Sequence, residues 1–128
     1  MPLSVYNLIA GNTQQGLLID DTRNVSLVTN VIVDNALCNV AFSTNINTSF
    51  SHSPLTLTNN TLLLLRTTTC NILNEQGTDV DARSNWWSTT DLAAIQSSLH
   101  YSGEQPGIIL YEPILVQPPI LASLPTTY

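Results

Sequence analysis

The sequence predicts an all-β chain, a right-handed parallel β-helix of about four coils with a short C-terminal capping helix and strand. Three observations carry that expectation. A short apolar pattern centred on an asparagine recurs at intervals near one coil length. A second pattern keeps nearly the same spacing between repeats of the first. The composition is also wrong for long solvated helices: there is no Lys, Arg occurs only at 23, 66 and 83, and charged residues make up 9% of 128 residues.

The first pattern consists of two alternating apolar residues, an asparagine and a large apolar residue. It reads Leu3, Val5, Asn7, Ile9, then Val25, Leu27, Asn30, Ile32, then Leu55, Leu57, Asn60, Leu62, and finally Val80, Ala82, Asn85, Trp87. The asparagines stand 23, 30 and 25 residues apart. That spacing suits one turn of a solenoid with three strands per coil. In the second pattern, Leu17 and Ile19 follow Asn7 at the offset at which Val40 and Phe42 follow Asn30, and Cys38-Asn39-Val40 is echoed by Cys70-Asn71-Ile72.

Parallel stacking explains these residue types. Alternate side chains of a strand point into a shared interior, and equivalent positions on successive coils lie about 4.8 Å apart. An asparagine at an inward bend can pass a hydrogen bond to its equivalent on the next coil. Asn7, Asn30, Asn60 and Asn85 are therefore read as a ladder; the plainer reading is ordinary turn residues that tolerate a left-handed backbone. The longer second interval holds a polar insertion between Ser43 and Ser53, expected to project as a loop.

Cys38 and Cys70 fall at equivalent places on neighbouring coils. Stacked neighbours lie within disulfide reach, so a bridge and two buried thiols are both open readings.

The segment from Asp79 to Pro113 resembles the closing segment of right-handed parallel β-helix repeat proteins of the pectate-lyase-like kind. The resemblance rests on Asn85-Trp86-Trp87, Thr90-Asp91, and the spaced residues Gly107, Ile109, Tyr111 and Pro113. Ser88 stands where the motif carries glycine. The family includes polysaccharide lyases and hydrolases and animal extracellular proteins of the bark-beetle type. The resemblance implies coils over 1–87, a cap over 88–117 and a tail or linker over 118–128.

Residue chemistry suits such a cap. Ser88, Thr89 or Thr90 can N-cap a helix with Asp91 in its first turn. Leu92, Ile95 and Leu99 form an apolar stripe at helical spacing. Trp86 and Trp87 are expected to cover the last coil, one ring inside and one outside. A final strand is expected from Ile108 to Val116, stopped by Pro118-Pro119. No comparable cap precedes Leu3, so further coils of the same protein are expected upstream.

A net charge of −6 argues against a nucleic-acid surface, which needs clustered Lys and Arg. The longest apolar run, Leu62 to Leu65, is too short for a membrane span. Three N-x-S/T sequons begin at Asn24, Asn47 and Asn59, as candidate glycosylation sites or as chance products of an Asn- and Thr-rich chain. They lean towards an extracellular or cell-surface setting.

The best catalytic candidates are Asp79, Asp81 and Arg83, spaced to share one face of a strand. The acids suit calcium as well. The plainer reading is a solvated face with an ion pair. No cofactor is expected. The expected function is a non-catalytic β-helix module of a larger extracellular or cell-surface protein, with carbohydrate or protein as partner. The alternative is the C-terminal part of a polysaccharide lyase or glycoside hydrolase with its active site upstream.

Overall fold

The computed structural model describes residues 2–5, 7–20, 25–43, 55–63, 70–103 and 106–119. Their strands are short, two to six residues, because each bend interrupts the apolar alternation. In chain order they are β1 (Pro2–Val5), β2 (Leu8–Ala10), β3 (Leu17–Asp20), β4 (Val25–Val28), β5 (Val31–Val33), β6 (Cys38–Ser43), β7 (Leu55–Thr58), β8 (Thr61–Leu63), β9 (Cys70–Asn74) and β10 (Val80–Asp81). A helix, α1 (Leu92–Ser97), follows, then β11 (Leu99–Tyr101) and β12 (Ile109–Leu110).

Three sheets result, ordered β1-β4-β7-β10-β12, β2-β5-β8 and β3-β6-β9-β11. Every pairing between described strands is parallel. Each strand therefore pairs with one in a later repeat rather than with its chain neighbour. The fold is all-β-dominated and β-helix-like.

The registers align apolar residues into columns. Val25, Leu55, Val80 and Ile109 are successive partners in the first sheet, and Leu17, Val40, Ile72 and Leu99 are in the third. Ile32 pairs with Leu62 in the second. All but Leu17, which is partly buried and packs against them, belong to one buried core with Leu27, Leu57, Phe42 and Trp87. Burying each large aliphatic chain contributes about 1.5–3 kcal/mol. Leu3 departs from the expected column. Pro2 pairs with Ser26 but Ser4 with Leu27, so the register slips at Leu3.

The closing segment differs from expectation in three ways. First, α1 is six residues long and is capped by Asp91, whose carboxylate accepts from the Ala93 N–H at 3.1 Å. Ser88, by contrast, has φ +67° and donates its hydroxyl to the Leu62 carbonyl at 3.0 Å. The Thr89 hydroxyl oxygen holds the Asp91 N–H at 3.0 Å. Both are thus committed before the helix begins. The left-handed backbone at Ser88 is a conformation that glycine adopts without strain.

Second, the apolar stripe is divided between elements. Ile95 is buried on α1, Leu92 is 41% exposed, and Leu99 lies on β11 opposite Ile72. Parallel pairing with β9 overrides helical periodicity there. Third, the last strand spans only Ile109–Leu110. Beyond it the chain is held by single bonds, from Ser84 N–H to the Pro113 carbonyl (2.8 Å) and from Leu115 N–H to the Asn85 carbonyl (2.9 Å).

Trp87 is 3% exposed and Trp86 is half-buried, bridging to Thr61 at the end of the second sheet. Gly107 passes so close to the Thr78 backbone that a side chain there would collide with it. Asn74 secures the same crossing, donating to the Thr78 and Gly107 carbonyls at 3.1 and 3.0 Å.

Candidate functional site

Strands β4, β7 and β10 alternate buried and half-buried residues, so the first sheet has an inner apolar face and an outer polar one. On the outer face Ser26, Thr56 and Asp81 are successive register partners. Thr56, Thr58, Asp81, Arg83, Ser84 and Pro113 line an open cleft of about 310 Å³. This face gathers two of the three catalytic candidates.

Asp81 and Arg83 form a fork. Arg83 Nε donates to one carboxylate oxygen at 2.9 Å and Nη2 to the other at 2.8 Å, while its backbone N–H reaches the first at 3.2 Å. The Arg83 hydrogen bond holds the Asp81 carboxyl below the ordinary carboxylate range, against a smaller opposing effect of burial. The same bond raises Arg83 above its ordinary value. Asp79 lies one residue before β10 and accepts the Ile108 N–H at 2.8 Å, which ties the approach of β12 to the preceding coil.

A general acid needs a carboxyl held protonated near neutral pH, the opposite of the condition at Asp81. The face instead offers an ionised fork and a row of hydroxyls, suited to hydrogen-bonding a polar ligand. Among the described residues, no group of three or more His, Cys, Asp or Glu side chains could hold a metal ion.

The asparagines of the repeat are joined rung to rung. Asn7 donates its amide to Asn30 Oδ1 at 3.2 Å, Asn30 to Asn60 at 3.3 Å and Asn60 to Asn85 at 3.1 Å. Each backbone N–H donates to the same next oxygen, at 3.0, 2.8 and 2.9 Å. The run ends where the Asn85 amide meets the Leu57 and Ala82 carbonyls.

A second ladder escapes the sequence reading. Asn12 donates to Asn35 at 2.8 Å, Asn35 to Asn39 at 2.9 Å, Asn39 to Asn71 at 2.7 Å and Asn71 to the Ser98 hydroxyl at 3.3 Å. Its signal is that Asn12 and Asn35 share the 23-residue separation of Asn7 and Asn30. Also missed is the left-handed backbone at Thr29, Asn59 and Ser84, with φ of 58°, 57° and 64°. Each immediately precedes a rung of the first ladder.

Cys38 and Cys70 pair across β6 and β9 and are joined as a disulfide, with Cα atoms 4.6 Å apart. Of the sequon asparagines, Asn59 is exposed; Asn24 and Asn47 lie outside the described residues.

No known protein family, curated protein or solved structure matches the chain. Fold and site define its class: a β-helix-like chain of three parallel sheets with a polar outer face. No helix among the described residues is long and apolar enough to cross a membrane.

Proposed function

We propose that the chain comprises about four coils and the cap of a right-handed, pectate-lyase-like parallel β-helix. In this reading it is a non-catalytic module of a larger extracellular or cell-surface protein, binding carbohydrate or protein on its outer face. The observation that carries the binding reading is the Asp81–Arg83 fork beside Thr56 and Thr58. Both carboxylate oxygens are engaged, while the row of polar groups along the cleft suits a ligand rich in hydroxyls or amides.

A glycan array probed with the parent chain and with Arg83→Ala tests this, alongside reducing-sugar and unsaturated-uronate assays on the same glycans. Retention of one glycan class, weakened by Arg83→Ala and without turnover, is the expected result. Turnover by this chain, abolished by Asp79→Asn or Asp81→Asn, would sink the proposal.

A further inference from the structure

We infer that Asn59 carries an N-linked glycan, attached before its coil closes. Two independent features support this. The first is access: Asn59 is exposed at a left-handed bend, and its backbone is held by the Ser84 carbonyl at 2.7 Å. Its side chain borders an open groove of about 480 Å³ formed with Leu115, Val116, Gln117, Pro118 and Pro119. A first sugar has room there without displacing a strand.

The second feature is a residue that the folded chain does not need. Thr61, the third residue of the Asn59-Asn60-Thr61 sequon, pairs with Val31 on one side and bridges to Trp86 on the other. It is 1% exposed, and its hydroxyl has no hydrogen-bond partner among the described residues. A hydroxyl buried in this way has lost its hydrogen bonds to water and gained none in return, which is unfavourable. Valine fills the equivalent place one repeat earlier and would fit better. A hydroxyl is required there by the sequon.

Timing follows from burial. Asn60 is 0% and Thr61 1% exposed, so a transferase can grip the sequon only while the segment is extended. In the transfer, Asn59 Nδ2 forms a bond to the anomeric carbon of a lipid-diphosphate-linked oligosaccharide. The bond from that carbon to the diphosphate breaks, the lipid diphosphate leaves with the electron pair, and the amide loses one proton to the enzyme's base.

The inference rests on the extracellular reading, and the experiment separates the two. The full chain is made behind a supplied secretory signal in eukaryotic cells, and unglycosylated in bacteria. Mass spectrometry should find a glycan at Asn59 in the secreted chain, retained in Thr61→Ser and lost in Asn59→Asp and Thr61→Val. The bacterial Thr61→Val protein should melt a few degrees above its parent. A bare Asn59 on a secreted chain, or a Thr61→Val protein that melts below the parent, overturns the inference. Failure of the extracellular reading would show differently: Asn59 modified behind the supplied signal, but the natural chain retained inside its cell.

Discussion

The two asparagine ladders solve one problem by different means. In the first, Asn7, Asn30, Asn60 and Asn85 occupy equivalent bends, and backbone and side-chain N–H groups of each rung converge on the next oxygen. In the second, consecutive rungs Asn35 and Asn39 lie four residues apart in one repeat, and the ladder ends on Ser98. The first is preceded at three rungs by a left-handed residue. The second has Cys38 before Asn39 and Cys70 before Asn71, joined to each other. One ladder is positioned by its own bends, the other by a covalent tie beside it.

Breaking the regular ladder at its centre is expected to cost most. Asn60 accepts from the Asn30 backbone and amide and donates to the Leu27 carbonyl and Asn85. Asn60→Ala leaves several buried groups unpaired and should lower stability by roughly 3–5 kcal/mol. Urea unfolding measures it; a loss below about 1 kcal/mol would mean the ladder contributes little.

The disulfide comes next. It closes a separation of 32 residues, and in the chain-entropy account its reduction should cost about 3–4 kcal/mol. Asn39→Ala should cost about 1–3 kcal/mol in the oxidised chain and a different amount after reduction. A double-mutant cycle reads the coupling. Additive effects would show that the bridge does not hold this ladder in place.

The left-handed bends sharpen the contrast in the opposite direction. Ser84 has φ +64°, where most residues are strained by about 1–2 kcal/mol and asparagine is better tolerated. Ser84→Asn, matching Asn59 in the previous repeat, should raise stability by up to about 1 kcal/mol in thermal unfolding.

The smallest effect is expected at the outer fork. Asp81 is held below its ordinary value by Arg83, so its stabilisation is present above the unfolded pKa near 4. It is lost as pH falls through the lower folded value. The pair is largely exposed, so the loss should stay under about 1 kcal/mol and shrink in salt. Asp81→Asn should remove that increment of acid dependence.

Much of the fold is legible because parallel stacking repeats a chemical need at a nearly constant interval. Val25, Leu55 and Val80 can be aligned by eye, as can Cys38 with Cys70. The second ladder is harder to see, because Asn35 and Asn39 share a repeat and Ser98 ends the run in place of an asparagine. On the outer face, Asp81 and Arg83 are readable from their spacing of two. The Asp79 bond to Ile108 is not, since it depends on where the chain returns after α1.

The sequence by itself determined the strand-rich class, the rhythm of the repeats and the residues able to face inward, because alternation and spacing are local properties of the chain. Tertiary structure decided where Leu3 slips out of register, that Leu99 leaves the helix to pair with Ile72, and that Asp91 rather than Ser88 caps α1. It also decided that the Thr61 hydroxyl is buried without a partner among the described residues. Each of these is a competition for hydrogen bonds between segments remote in sequence, which no local pattern records.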